Sequence, residues 1–159
     1  MDQIRVLIVD DSAFMRMVLK DIIDKEPDMK VVGLAKDGVE AVEKALSLTP
    51  DVITLDVEMP KKNGLDALSE IMLKSPTRVI MVSSLTSKEA SITIECLEKG
   101  AFDFIQKPAG STSWTIRDVQ DELLRKIRES MNVSIEKLKS IHFVETKKVK
   151  KRFSSKKCG

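Results

Sequence analysis

Short apolar runs alternate regularly with longer amphipathic stretches along this chain. The runs are rich in Val and Ile and are continuously apolar, which is typical of parallel strands covered by helices on both faces. Such alternation predicts βα units, and five units fit the chain. The predicted strands are 4–9, 30–35, 51–55, 78–83 and 102–105, and the predicted helices are 13–25, 38–48, 64–74, 87–99 and 115–130. We expect an α/β fold with a doubly wound, five-stranded parallel sheet.

Local signals support these helix bounds. Pro27, Pro50 and Pro76 follow or end helical patterns, and Gly100 stands where a glycine would close the fourth helix. We expect Ser87 to cap that helix at its start, because a serine hydroxyl can accept a hydrogen bond from a first-turn amide.

The composition is that of a soluble globular domain. The chain has 159 residues, of which 42% are hydrophobic and 33% charged, so a disordered or fibrous protein is excluded. Its longest uncharged apolar runs, such as 6–9 and 79–82, are far shorter than the roughly 20 residues of a membrane-spanning helix. Asp2 and Arg5 flank the start of the first run, and no small-residue cleavage site follows. We therefore expect a cytoplasmic protein without membrane insertion.

The cysteines and the histidine exclude several kinds of site. Cys96 and Cys158 are far apart and lack metal-ligand spacing, which argues against a disulfide framework and a zinc site. His142 is the only histidine in the sequence, which argues against a Ser/His/Asp catalytic triad.

Charge divides the chain into a body and a tail. Residues 143–159 carry seven Lys/Arg and one Glu, or +6, so the rest sums to 2 − 6 = −4. We interpret 1–130 as the folded domain and 131–159 as a linker, partly helical and then basic and flexible. A basic tail can also bind nucleic acid, but we favour the linker interpretation and expect no nucleic-acid partner.

Polar side chains gather where the predicted strands end. In an open parallel sheet, functional groups lie at the carboxyl ends of the strands. Those ends carry three carboxylates, a hydroxyl and an amine, namely Asp10, Asp11, Asp56, Ser83 and Lys107. Each aspartate alone would be read as a cap or a turn residue, but three together repel one another unless a cation neutralises them. Mg²⁺ is the expected cation, held by one or two carboxylates and a backbone carbonyl.

The other two groups point to phosphoryl transfer. Lys107 offers a compact positive charge and Ser83 a hydroxyl donor, and both suit phosphoryl oxygens. Asp56 would act as the nucleophile, while Mg²⁺ and Lys107 neutralise charge on the equatorial oxygens. The expected product is an aspartyl phosphate.

Four motifs, VLIVDDS, LDVEMPKKNGLDAL, VIMVSSLT and GAFDFIQKP, resemble the receiver domain of bacterial response regulators over residues 4–125. The resemblance implies the strand order 2-1-3-4-5, a known order of flavodoxin-like folds. It also implies a role for each matching residue: Asp10 and Asp11 as the acid pocket, Asp56 as phosphoacceptor, the Glu58 backbone carbonyl as a metal ligand, Ser83 as switch hydroxyl, Phe104 as switch aromatic and Lys107 as phosphate contact.

A narrower resemblance involves LDVEMP, VSSLT and DFIQKPAGS, which are similar to the regulatory domain of chemotaxis protein-glutamate methylesterases. It implies three partners: a chemotaxis histidine kinase, an attached methylesterase domain and, through the full-length parent, chemoreceptors. That family's esterase domain has a glycine-rich nucleophile segment, and the GSTSW run at 110–114 lacks its G-x-S-x-G spacing. We expect the esterase domain to be absent here, so that the chain catalyses only its own phosphorylation and dephosphorylation.

Three other functional classes share part of this pattern. A flavodoxin-like FMN binder is disfavoured because Asp10 and Asp11 would repel its phosphate, and a haloacid-dehalogenase-like phosphatase would need an aspartate where Ser12 stands. A receiver domain that stands alone, or that is tethered to a DNA-binding domain, remains the main alternative.

Overall fold

The computed structural model describes residues 2–84, 86–107 and 116–136. These residues form one parallel sheet with the strand order β2-β1-β3-β4-β5. The strands are β1 (Ile4–Val9), β2 (Met29–Ala35), β3 (Val52–Asp56), β4 (Arg78–Ser83) and β5 (Asp103–Gln106), and the helices are α1 (Ala13–Asp24), α2 (Gly38–Leu48), α3 (Gly64–Lys74), α4 (Ser87–Glu98) and α5 (Ile116–Ser130). The predicted fold class and strand order are confirmed, and every predicted bound lies within one residue of the observed one.

Alternating side chains of the strands build a core on each face of the sheet. Val6 and Ile8 of β1 pack with α1 and α5, whereas Leu7 and Val9 pack with α2, α3 and α4. Successive side chains of a strand point to opposite faces, so a strand with helices on both sides must be apolar throughout. This explains why the runs are continuously apolar rather than alternating.

Side-chain caps begin the first four helices. Ser12, Asp37, Asn63 and Thr86 each accept a hydrogen bond from the backbone N–H three residues later. The expectation that Ser87 caps α4 is therefore wrong. Thr86 is the cap, because its backbone is extended and its hydroxyl accepts from the Glu89 N–H, whereas Ser87 is already the first residue of the helix. At the other end of α4, Gly100 has φ = 113°, a left-handed conformation that favours glycine, as its predicted closing role requires.

The end of α5 is tied to the edge of the sheet opposite the strand carboxyl ends. Nε of Arg78, the first residue of β4, donates to the carbonyls of Ser130 and Val133 at 2.8 and 3.0 Å. Met131 packs against the α1/α5 core. The tail from residue 137, with His142 and Cys158, lies outside the described residues, so the linker remains a prediction. No helix of the described segments is long and apolar enough to cross a bilayer.

Candidate active site

The predicted carboxylate cluster lies at the carboxyl edge of the sheet. β1 and β3 are neighbours in the sheet, so Asp10, which follows β1, meets Asp56, which ends β3. One carboxylate oxygen from each of Asp10, Asp11 and Asp56 lies within 4.8 Å of the others. Asp10 and Asp56 are completely buried, and Asp11 is exposed. The site is thus a buried acidic floor with one carboxylate at its solvent side.

The turn after β1 holds Asp10 through its backbone and its side chain. Asp10 Oδ1 accepts a hydrogen bond from the Ser12 N–H at 2.9 Å, and the Asp10 carbonyl accepts one from Arg16 Nη1 at 2.7 Å. Ser12 is also the α1 cap. The position of Asp10 therefore depends on where α1 begins.

Lys107 brings a positive charge to the same carboxylates. Its Nζ lies 2.9 Å from Asp56 Oδ1 and 3.9 Å from Asp10 Oδ2. The Lys107 backbone N–H donates to the Ser83 carbonyl, which continues the pairing of β5 with β4 past the strand end. The sheet itself therefore places Lys107 opposite Asp56.

The electrostatics of the cluster are unfavourable without a further cation. Burial is the main cause that raises the pKa of Asp56 to about 7; Lys107 opposes the shift and the charge of Asp10 adds to it. Burial also raises the pKa of Asp10. For Lys107, burial lowers the pKa, but the carboxylates of Asp56 and Asp10 outweigh it and the net shift is upward.

Several buried oxygens of this floor lack a hydrogen bond. Asp10 Oδ2 and both carboxylate oxygens of Asp56 accept none within the described part of the chain. The Lys107 ammonium, 2.9 Å from Asp56 Oδ1, is the close partner of that carboxylate among the described residues. Buried carboxylate oxygens are rarely left in this way, and oxygen ligands of this kind are those that Mg²⁺ prefers. The residues present therefore fit a hard divalent cation.

The loop between β3 and α3 forms one wall. The Glu58 side chain is exposed and forms an ion pair with Lys88, whose Nζ lies 3.1 Å from Glu58 Oε1. A cavity of about 370 Å³ adjoins the cluster at Asp11 and is lined by Asp11, Glu58, Met59, Asn63, Lys88 and Ile92. The cluster is therefore reachable from solvent on this side.

The two predicted switch residues lie on the neighbouring strands. Ser83 is buried at the end of β4, and its register partner on β5 is Gln106. Phe104 faces Met81 in the register and packs, half-buried, against the α2/α3/α4 core. Ser83 is thus at the edge where Lys107 lies, and Phe104 is further down the sheet.

One residue near the site is not among those predicted from the sequence. Glu89 on α4 accepts hydrogen bonds from the N–H and the hydroxyl of Ser84, next to Ser83, and its charge also acts on Lys107. The signal was present in the Thr86-x-x-Glu89 spacing, which marks a helix start.

Comparison with known proteins agrees with this geometry. A family model described as the response regulator receiver domain matches residues 6–116. The protein-glutamate methylesterase/protein-glutamine glutaminase of Thermotoga maritima is 72% identical over 130 residues, which are 82% of this chain and 38% of that protein. The protein of the same name from Pyrococcus abyssi is 52% identical over 151 residues, covering 94% and 41%. The chain therefore spans about 40% of the length of these curated relatives.

Solved structures give the same result. The crystal structure of the response regulator domain of Thermotoga maritima CheB matches with a TM-score of 0.76 and 70% identity, covering 83% of this chain and 98% of that one. A chain in the CheX–CheY–BeF3–Mg²⁺ complex from Borrelia burgdorferi matches with a TM-score of 0.69 and 35% identity, covering 84% and 92%. The chain belongs to the response regulator receiver domain family, as a receiver domain of the CheB type.

Proposed function

We propose that this domain accepts a phosphoryl group on Asp56 from a phosphohistidine of a chemotaxis histidine kinase. The observation that carries the proposal is the buried carboxylate of Asp56, which lies beside two further carboxylates and which, within the described residues, has the Lys107 ammonium at 2.9 Å as its close partner. A structural aspartate would have its oxygens satisfied.

Mg²⁺ is the cofactor that the site requires. Asp10, Asp11 and Asp56 would hold it, together with the backbone carbonyl of Glu58. When bound, the ion neutralises charge on the transferring phosphoryl group and lowers the repulsion between that anion and the carboxylates.

The chain's own residues then have distinct tasks. An ionised oxygen of Asp56 attacks phosphorus while the bond from phosphorus to the donor nitrogen breaks, and the imidazole leaves with that electron pair. The Lys107 ammonium neutralises a phosphoryl oxygen at the position where it now pairs with Asp56 Oδ1. The Ser83 hydroxyl donates to another phosphoryl oxygen, which draws the loop after β4 towards the site and lets Phe104 move inward.

The output follows from the relatives. We infer that the phosphorylated domain regulates an attached methylesterase domain, which acts on chemoreceptors in the cytoplasm. The relatives named above are methylesterase/glutaminases of which this chain spans about 40%. This chain alone should not release methanol from methylated receptors.

Phosphotransfer with an Asp56→Asn variant tests the proposal. We expect labelling from a phosphorylated kinase or a small phosphodonor to depend on Mg²⁺ and to be abolished by the substitution, because the nucleophile is removed. Asp37→Asn is the matched control, since Asp37 is a buried α2 cap outside the cluster and asparagine also caps helices. Equal labelling of Asp56→Asn and wild type, or labelling undiminished in excess chelator, would contradict the assignment.

A further inference from the structure

Lys126 on α5 is a nearly buried amine that the phosphotransfer chemistry does not use. Its relative exposure is 8%, unusual for a lysine. Its Nζ lies 2.8 Å from Glu122 Oε1 and 3.4 Å from Asp103 Oδ1, and it donates to the carbonyl of Phe104. A buried ammonium is stable only with such partners, so this arrangement is specific.

The same ammonium holds the side chain of Phe104. It lies 5.1 Å from the centroid of the ring, within the range of a cation–π interaction. The Phe104 N–H donates to Asp103 Oδ1 at 2.8 Å. One cluster of Lys126, Asp103 and Glu122 therefore contacts the backbone and the ring of Phe104.

The position of Phe104 in the sheet gives this cluster its importance. Among the described strands, β5 lies at the edge of the sheet and pairs with β4 alone, so no described strand holds its outer side. Lys126 supplies a constraint there, from α5. A movement of the ring away from Lys126 would weaken the cation–π contact.

We propose that Lys126 is a positioning residue that holds Phe104 in its resting place and so sets how readily the domain enters the phosphorylated conformation. This inference rests on the proposed function, because it takes Phe104 to move when Asp56 is phosphorylated. A contact made only in the resting state opposes the transition by its own free energy. Removing it shifts the equilibrium towards the phosphorylated conformation and tightens any ligand that prefers that conformation.

The test is titration of the full chain with beryllium fluoride in saturating Mg²⁺, followed by ¹⁹F NMR. Lys126→Met keeps an unbranched apolar stem but removes the cation, and we expect the apparent Kd to fall roughly two- to thirtyfold, the range of cation–π contacts from exposed to desolvated sites. Lys126→Arg keeps a cation that can stack on the ring and should return the Kd towards that of wild type. Lys99→Met makes the same charge change at an exposed position and should leave the Kd unchanged.

An apparent Kd for beryllium fluoride that is unchanged or higher in Lys126→Met would overturn the inference. So would an arginine variant that behaves like the methionine variant, because Lys126 would then only cover the open edge of β5. If the wild-type protein binds no beryllium fluoride, the proposed function fails. The contact between Lys126 and Phe104 is then tested in the protein without beryllium fluoride. There, Lys126→Met should broaden the Phe104 ring signals through microsecond-to-millisecond exchange; unchanged ring signals would reject the role.

Discussion

At the scale of single residues, Gly64 ties Asp56, the proposed phosphoacceptor, to the start of α3. A Cβ at this position would lie 2.3 Å from the Asp56 carbonyl oxygen and 2.9 Å from Val57 Cα, both backbone atoms. The Gly64 N–H also donates to the Val57 carbonyl. Since backbone cannot yield as a side chain does, any residue larger than glycine must push the loop and Asp56 apart.

We therefore expect Gly64→Ala to lower the free energy of unfolding by about 1–3 kcal/mol, as overpacking does, and to slow phosphorylation of Asp56. Gly33→Ala is the comparison, because its nearest contact is the flexible Leu48 Cδ1 at 2.6 Å. Urea unfolding of both variants measures the difference. A smaller loss at Gly64 than at Gly33 would show that the loop adjusts freely.

Which site residues lie close together could be predicted from the sequence only where the path of the backbone determines it. Asp10, Asp56 and Lys107 follow strands that are close in the sheet, so their meeting at one edge follows from topology. Lys126 could not be found in this way. Its contact with Phe104 depends on a long side chain reaching from α5 to an edge strand, and neither helical period nor strand register determines that reach.

At the scale of elements, the start of α4 distinguishes two neighbouring hydroxyls. Thr86 accepts from the Glu89 N–H, whereas Ser87 is the first residue of the helix. We expect Thr86→Ala to destabilise α4 by about 1 kcal/mol through loss of the cap, and Ser87→Ala to be nearly neutral. Hydrogen exchange of the α4 amides measures this locally. Faster exchange in Ser87→Ala than in Thr86→Ala would mean that Ser87 contributes more than Thr86 to the start of α4.

The existence of each helix and strand could be predicted more accurately than the residue at which it begins or ends. The five strands could be predicted because the apolar runs are short and mostly rich in Val and Ile, which favours a strand over a segment of a buried helix. The α4 cap was misassigned by one residue because Thr86 and Ser87 have the same capping chemistry. What separates them is the partner three residues on, Glu89 rather than Ala90.

At the scale of the whole molecule, the acidic site opposes the stability of the fold that supports it. Two completely buried aspartates stand at the carboxyl edge of a sheet whose buried residues are mostly apolar. The desolvation of these charges is unfavourable in the metal-free protein. The carboxylates that the proposed function needs therefore lower the stability of the fold at this edge, by an amount that depends on pH and on bound metal.

The pH dependence of metal-free unfolding tests this opposition. The pKa of Asp56 is about 7 in the folded protein, against an ordinary value of 3.8, so between these pH values the native state binds more protons than the unfolded state. The unfolding free energy should therefore fall as pH rises from about 4 to 7, by up to roughly 1.4 kcal/mol for each pH unit, and level off above 7. Asp56→Asn should flatten this fall, because the amide does not titrate.

Mg²⁺ at neutral pH should restore stability in wild type but much less in the variant, since binding to the native state alone raises the unfolding free energy. Urea titrations in chelator and in Mg²⁺ measure both effects, and a wild-type stability that rises with pH over this window in chelator would mean that Asp56 is not held as a strained, buried carboxylate.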